Sequence, residues 1–378
     1  MLTLSIIARL PLAMFSIGLL VHAQHLTGSF AAAGLVTAAY AIALGLGGPA
    51  LGRLVDRRGQ TVVLTATASV SLALLVAIAL LPTGVSLGVL LALAAGIGVA
   101  TPPVGACVRT LLTDPRAFAV EASAVELCWV FGPPLALGAG ALISTGAALV
   151  GAGVVLLAGT LAFAAHPSSR AWRPATPAEG DAPSSPAGEP RRGALHSPAL
   201  RALVLVMGSV GAIFGATEIG VTTAADALGD AAAAGPLLGV WGMGSLLGGV
   251  WLARRGGVAP LIPLLLALAV GHAVLAAAAV NVLALAVGLL AAGAAIAPTY
   301  AVVYGLVERA APTGTVTEAF AWLATAVSVG AAAGAALAGA VADAFGPSAV
   351  FAIAGAAGAL ALAAGSIRTA RVPAVECA

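Results

Sequence analysis

Long apolar runs separated by short polar gaps make up almost the entire chain. Each run has about 20 residues, the length that an α-helix needs to cross about 30 Å of hydrocarbon. A membrane β-barrel would show alternating segments of roughly 10 residues instead. We therefore predict an all-α membrane protein with twelve transmembrane helices, at 4–24, 30–51, 61–81, 86–107, 119–142, 146–165, 201–224, 233–253, 259–279, 283–306, 317–340 and 347–366.

The composition supports this prediction and limits the classes of function. The chain is 61% hydrophobic and 8% charged, with a mean hydropathy of +1.10, which is more apolar surface than a water-soluble core can bury. Little sequence remains for a soluble domain, so we expect no enzyme. The sequence has no nucleotide-binding loop, no metal-ligand cluster and no nucleophile–base pair, so we expect no cofactor and no ATP-driven pump.

All sixteen basic residues are arginines, and nearly all of them lie in alternate gaps. The other gaps carry only the acidic residues Asp226, Asp230 and Asp343. Because arginine-rich short loops stay in the cytoplasm, this pattern predicts that both termini are cytoplasmic. The first run also resembles a signal peptide, with Val21, His22 and Ala23 as the cleavage site. Its removal would leave eleven spans and break the duplication described next, so we favour a span.

Residues 166–199 are rich in proline, alanine, glycine and serine, which is typical of a flexible linker. They divide the predicted spans six and six, and the halves resemble each other. A shift of 197 residues (249 − 52) carries Gly52 onto Gly249 and Glu121 onto Glu318. We predict a six-helix bundle at 1–165, a cytoplasmic linker at 166–199, a second six-helix bundle at 200–367, and a cytoplasmic tail at 368–378.

Parallel six-helix repeats joined by a central cytoplasmic loop are an architecture of secondary transporters. The segment GRLVDRRG at 52–59 resembles the loop between spans two and three of the major facilitator superfamily, G-x-L-x-D-R-x-G-R-[RK]. The match departs at Gln60 and Thr61, and in the second copy Ala253 replaces the acidic residue. The resemblance covers nearly the whole chain and implies that family's fold and transport function.

The same loop is the predicted gating loop. Glycines allow a tight turn and close helix packing, and a carboxylate there can pair with an arginine or with the positive N-terminus of another helix. Such a contact would hold the cytoplasmic side closed until it is released. The alternative is that these residues only set the topology. The gating candidates are Gly52, Asp56, Arg57, Arg58 and Gly59.

Gly132 and Pro133 form a predicted helix-bend motif in the fifth run. Proline removes a helical hydrogen bond, and glycine permits close approach. The stretch resembles the GPxxGG motif of the superfamily's drug:proton antiporters, although Gly138 and Gly140 are displaced from the motif's paired positions. The resemblance implies export of the substrate in exchange for an ion.

Ionisable residues inside spans are candidates for function by default. Glu126 lies in the fifth run and Glu218 in the seventh. Because removal from water disfavours the charged carboxylate, we predict that these two residues bind and release protons. The alternative is a permanent pair with an arginine such as Arg9. Glu121 and Glu318 begin spans five and eleven, where an acid stabilises a helix N-terminus.

The predicted substrate cavity is lined by amphipathic side chains, which suit a substrate with both polar and apolar parts. Plain packing is the alternative for each. The candidates are Arg9, Trp129, Tyr300, Tyr304 and Trp322. We interpret His272 as structural and expect His22 to be solvated at the outer end of span one.

The sequence therefore predicts a secondary transporter that moves a small amphipathic molecule by alternating access, with proton-coupled efflux as the first hypothesis. An importer on the same fold, either a proton symporter or a uniporter, is the close alternative. A non-transporting receptor or scaffold would not need the intramembrane acids. The absence of lysine and the abundance of alanine suggest a GC-rich bacterial genome, so we predict a multi-pass protein of the bacterial cytoplasmic membrane. Its predicted partners are a small-molecule substrate, protons and the lipid bilayer, with no nucleic acid and a monomeric state.

Overall fold

A computed structural model describes residues 1–173, 193–230 and 233–369, and every regular element in these ranges is helical. The α-helices are α1 Leu2–Thr27, α2 Phe30–Arg58, α3 Gln60–Ala79, α4 Leu87–Ala100, α5 Val104–Arg109, α6 Pro115–Leu142, α7 Thr145–Ala165, α8 Pro167–Ala171, α9 Pro198–Ala227, α10 Ala234–Arg254, α11 Leu261–Ala278, α12 Val282–Gly293, α13 Ile296–Ala310 and α14 Val316–Thr369. Helix α14 is broken at Gly346, which has φ 71° and precedes Pro347.

Eleven helical stretches in the described ranges are long and apolar enough to cross a membrane. Two of them combine short helices, since Leu87–Arg109 contains α4 and α5, and Val282–Ala310 contains α12 and α13. Helix α6 has 28 residues and occupies the fifth predicted run. The predicted runs and the observed helices coincide along the chain. The count of twelve spans and the cytoplasmic location of both termini stay predictions.

Several helices begin at side-chain caps that the sequence places in the polar gaps. Ser29, Ser144 and Ser197 each accept a hydrogen bond from the amide three residues later, as does Asn281. Such caps satisfy one of the free amides at a helix N-terminus. The polar gaps therefore help to set the helix boundaries.

The described chain forms two compact units. The first comprises the described residues within Met1–Leu112, Leu127–Ala194 and Pro312–Trp322. One of its apolar cores joins α1, α2, α3, α4 and α7 around Phe15, Leu75, Leu90 and Leu156, all fully buried. A smaller core beneath the end of α2 contains Val55 and Phe163.

The second unit comprises the described residues within Thr113–Glu126, Leu195–Ala311 and Leu323–Ala378. Here α9 and α14 meet backbone to backbone, because a Cβ at Gly211 or Gly215 would overlap the carbonyl of Val327 or Ala331. Small residues permit such close approach between helices in lipid. The predicted boundaries at 165 and 200 stay predictions. Residues 174–192 of the predicted linker and 370–378 of the predicted tail lie outside the described ranges.

Candidate functional site

The Asp56 carboxylate binds the N-terminus of another helix. Asp56 is 4% exposed at the end of α2. Its Oδ1 accepts a hydrogen bond from the Thr317 amide at 3.2 Å, and its Oδ2 accepts one from the Glu318 amide at 2.8 Å. Both amides belong to the first turn of α14, where backbone donors have no partner within the helix and the helix dipole favours a negative charge. The end of α2 is thereby tied to the start of α14.

An ion pair reinforces this contact. Arg53 Nε lies 2.8 Å from Glu318 Oε1, with the arginine side chain 50% exposed and the glutamate 3% exposed. The same Glu318 oxygen accepts a hydrogen bond from Trp322 Nε1 at 3.2 Å. Glu318 therefore combines a first-turn position with a direct pair to α2. Trp322, a predicted cavity residue, is engaged with Glu318 one turn away.

Gly52 allows α2 and α14 to approach closely. A Cβ at this position would lie 2.8 Å from Glu318 Cα and 3.0 Å from Thr317 O, and backbone atoms cannot move away as a flexible side chain could. The two helices would therefore have to separate if residue 52 carried a side chain.

We expect Gly52→Ala to weaken the α2–α14 contact, because the added methyl group pushes the Asp56 carboxylate away from its two amide donors. The free energy of unfolding should fall by about 1–3 kcal/mol, the usual cost of overpacking. Thermal unfolding of the purified protein measures it. Gly34→Ala is the matched control, since Gly34 lies in the same helix and its Cβ would meet nothing within 4 Å. Equal stability of the two variants would contradict this account.

The remaining residues of the predicted gating loop have simpler surroundings. Arg57 and Arg58 are exposed at the end of α2, and Gly59 ends the helix with φ 85°. Gln60 stands where the superfamily motif has a basic residue, and it is 1% exposed. Its Nε2 donates to Cys107 O and Thr110 Oγ1, while its Oε1 accepts from Ser169 Oγ. A neutral network thus occupies the place of the motif's missing charge.

Glu126 makes a contact between α6 and α10. It is half-buried, and its Oε1 accepts a hydrogen bond from Ser245 Oγ at 2.9 Å. About one turn before Glu126 on α6 and one turn after Ser245 on α10, Gly249 lies against the Ser123 side chain. Gly249 is the predicted repeat equivalent of Gly52. Each of these two glycines therefore lies in a close contact between helices, Gly52 between α2 and α14 and Gly249 between α6 and α10. Only the first contact includes the acidic residue of the loop motif, Asp56.

The other predicted polar residues differ in burial. Arg9 is 8% exposed, with its guanidinium near Gly105. Glu121 is fully buried. Glu218 has an exposed side chain on α9, and its role in binding protons stays a prediction. The sequence gives the position of a residue along a helix, whereas burial depends on which neighbours cover that face.

His22 corrects one expectation. It is 3% exposed rather than solvated. Its Nδ1 lies 2.8 Å from Thr145 Oγ1, and its Nε2 lies 3.2 Å from Ile78 O. The ring therefore bridges the ends of α3 and α7. Hydrogen-bond partners on two distant segments make this burial possible, and the local sequence contains no sign of them.

Aromatic residues from neighbouring helices of the second unit form a cluster. The rings of Tyr300 and Tyr304, both predicted cavity residues, lie 5.7 Å apart. Phe214 stacks on Tyr300 at 6.2 Å and meets Trp241 edge-on at 5.2 Å. Sequence reasoning missed Phe214 and Trp241. The signal available was the spacing of Phe214 and Glu218, which puts an aromatic ring and an acid on one helix face.

Three residues predicted to be functional lie close together in α6, namely Trp129, Gly132 and Pro133. A Cβ on Gly132 would lie 2.6 Å from Ala13 Cβ, so α6 packs tightly against α1 at that point. The side chains of Trp129 and Pro133 lie outside the part of the structure that is described. Among the described residues, no group of three or more histidines, cysteines or acids is placed to hold a metal ion.

Comparison with known proteins identifies the class. The profile of the Major Facilitator Superfamily matches residues 1–271, and the chain therefore belongs to this superfamily of membrane transporters. A search of curated proteins found no match.

Solved structures share the fold over nearly their full lengths. A bacterial homologue of the iron transporter ferroportin, in its outward-facing state, has 14% identity and a TM-score of 0.74, with 98% of each chain covered. The human organic anion transporter MFSD10 (TETRAN) has 18% identity and a TM-score of 0.72, covering 96% of this chain and 98% of its own. The proton:xylose symporter XylE bound to 6-bromo-6-deoxy-D-glucose has 13% identity and a TM-score of 0.72, with 97% and 94% covered. At these identities the likeness concerns the fold alone.

Proposed function

We propose that this protein is a proton-coupled secondary transporter that exports a small amphipathic molecule across the bacterial cytoplasmic membrane by alternating access. The observation that carries the proposal is the Glu126–Ser245 hydrogen bond, at 2.9 Å. It places an ionisable carboxylate in the contact between a helix of the first predicted repeat and a helix of the second. Protonation of that carboxylate changes how strongly it accepts a hydrogen bond, which links proton binding to helix separation.

The Asp56 contact supplies the second half of the proposed cycle. Alternating access requires contacts that form in one state and break in the other. The two hydrogen bonds from helix-terminal amides to this carboxylate are short and directional, so they are lost once α2 and α14 move apart. In this proposal it closes the cytoplasmic side while the outer side is open. The twelve-span count and the cytoplasmic termini belong to the same proposal.

The second candidate is import on the same fold, because the solved relatives include a proton:xylose symporter. The Glu126 contact is equally compatible with proton symport. Direction therefore has to be measured and does not follow from the contacts described above.

The test begins with ligand-induced thermal stabilisation of the purified protein against a chemically diverse library. Each stabilising compound is then followed in proteoliposomes under an imposed pH gradient. Export in exchange for protons predicts that substrate accumulates in the compartment of higher proton concentration, as protons leave it. Accumulation in the compartment of lower proton concentration identifies a symporter, because the substrate then moves in the same direction as the protons. Equilibration that does not depend on the gradient identifies a uniporter. A protein that binds compounds but moves none of them would be a receptor, which would refute the proposal.

A further inference from the structure

The aromatic cluster of the second unit has a fixed geometry. Phe214 of α9 stacks on Tyr300 of α13 with ring planes 26° apart, and Trp241 of α10 meets Phe214 at 82°. Offset-stacked and edge-to-face contacts are the preferred arrangements of aromatic pairs. The cluster therefore presents an ordered aromatic surface built by three helices.

A buried histidine holds the tryptophan in place. Trp241 Nε1 donates a hydrogen bond to His272 Nε2 at 3.2 Å, while His272 Nδ1 lies 2.8 Å from Leu268 O. Because Nε2 accepts, the proton is on Nδ1 and the ring is neutral. His272 is fully buried on α11. It supports the cluster without adding positive charge to it.

An acidic residue continues the aromatic surface along α9. Glu218 and Thr222 follow Phe214 at intervals of four residues, so the three side chains share one helix face. Glu218 and Thr222 are exposed, and Phe214 is half-buried. A charged side chain in a transmembrane segment avoids lipid and faces the protein interior or a water-filled cavity. This face of α9 therefore lines aqueous space.

Positive charge is remote from this face within the second unit. The arginines whose side chains are described in this unit lie at or near helix ends, namely Arg116, Arg201, Arg254, Arg255 and Arg309. Arg201 precedes Glu218 on the same helix by 17 residues, or about 25 Å at 1.5 Å per residue. The negative charge of Glu218 is thus left to act on a ligand that enters beside Phe214.

These features define a ligand by its chemistry. Faces of aromatic rings attract cations, flat apolar groups stack on them, and a carboxylate favours a positive group over a negative one by simple electrostatics. We propose that Phe214, Tyr300 and Glu218 form a substrate subsite for organic cations that carry a flat or apolar aromatic body. This inference deepens the proposed transport function and rests on it.

The test uses three probes of similar bulk and different charge: the tetraphenylphosphonium cation, neutral triphenylphosphine oxide and the tetraphenylborate anion. Each is titrated by calorimetry into the full-length protein in lipid nanodiscs, with empty nanodiscs subtracted. We expect the cation to bind at least ten-fold more tightly than the other two, which corresponds to about 1.4 kcal/mol. Equal binding of all three probes would overturn the proposal.

Variants separate the charge from the rings. Glu218→Gln should remove the preference for the cation. Phe214→Ala or Tyr300→Ala should lower the affinity for the cation by about ten-fold, which is the scale of losing a desolvated cation–π contact. Tyr300→Phe keeps the ring and should bind nearly normally, which guards against a folding defect. Glu308→Gln and Trp251→Ala are the matched controls, an exposed acid near the end of α13 and an exposed tryptophan near the end of α10. Equal losses in the controls would also overturn the proposal.

Failure of this inference is distinguishable from failure of the proposed function. If proteoliposomes transport other compounds while the cation shows no preferred binding, the subsite assignment falls and the transporter stands. If the cation binds as expected and no compound in the library is ever transported, the transport function falls and Phe214, Tyr300 and Glu218 remain a cation-binding site without a role in transport.

Discussion

Asp56→Asn should open the cytoplasmic side of the protein while leaving membrane insertion intact. The carboxylate uses both oxygens to accept hydrogen bonds from the Thr317 and Glu318 amides, whereas an asparagine has one oxygen and turns an NH₂ group towards a backbone donor. Hydrogen bonds to charged groups are worth about 1.5–3 kcal/mol each. Loss of one such bond shifts a two-state equilibrium by about ten-fold or more.

A cysteine reporter measures this shift. Ala319 lies in the first turn of α14 and is fully buried, so Ala319→Cys in a background without Cys107, Cys128 and Cys377 reports separation of α14 from its neighbours. A membrane-impermeant thiol reagent applied from the cytoplasmic side should label it about ten-fold faster when Asp56→Asn is added, in line with the equilibrium shift. Transport of an identified substrate should fall in the same variant.

Asp114→Asn is the matched control for this experiment. Asp114 Oδ1 also accepts a hydrogen bond from a backbone amide at a helix start, that of Arg116 at 2.8 Å, but the contact is local. Asparagine caps helices about as well as aspartate, so labelling should be unchanged. If Asp56→Asn labels at the wild-type rate and transports fully, the gating role is wrong and Asp56 serves topology alone.

The helices were predictable because the bilayer leaves few choices. A segment in hydrocarbon must pair its own amides, so run length alone sets the position of each helix, and the observed helices follow the apolar runs. Breaks inside runs were visible only in part. Pro102 and Pro103 separate α4 from α5, in accord with proline's effect on helices. The last two predicted runs, in contrast, follow each other within α14 and are separated only by the break at Gly346.

Contacts between distant segments account for most of what the sequence did not reveal. The loop motif predicted that Asp56 could bind a helix N-terminus, but the helix it binds begins 260 residues later along the chain (316 − 56). Single-sequence patterns report on neighbours three or four residues away, not on such pairs. The same limit applies to the Ser245 partner of Glu126, to the partners of His22, and to the assembly of Phe214 and Trp241 beside Tyr300.

Glu126→Gln should abolish proton-driven transport while preserving folding and substrate binding. Glutamine has nearly the same shape, and its amide oxygen still accepts the Ser245 hydroxyl, but it cannot cycle between protonated and ionised forms. The repeat shift of 197 maps Glu126 onto Leu323 and Glu218 onto Val21, so neither acid has a counterpart in the other half. A structural role common to both halves would favour paired acids, whereas a proton site need occur only once.

The measurement is substrate-dependent proton flux in proteoliposomes under an imposed pH gradient. We expect Glu126→Gln, and separately Glu218→Gln, to reduce this flux by at least 100-fold, on the scale of losing an essential proton carrier. Exchange of labelled for unlabelled substrate, which needs no net proton movement, should continue in Glu126→Gln. Ser245→Ala should keep the flux, because it removes the hydrogen bond but leaves the carboxyl able to titrate.

Glu308→Gln is the matched control, since Glu308 is exposed near the end of α13, and it should carry wild-type flux. Loss of flux in Glu126→Gln together with loss of exchange would indicate a general defect in helix movement rather than in coupling. Wild-type proton flux in both glutamine variants would refute the coupling scheme. A uniporter, or coupling to an ion other than the proton, would then explain the same fold, because the Asp56 contact serves alternating access whichever ion drives it.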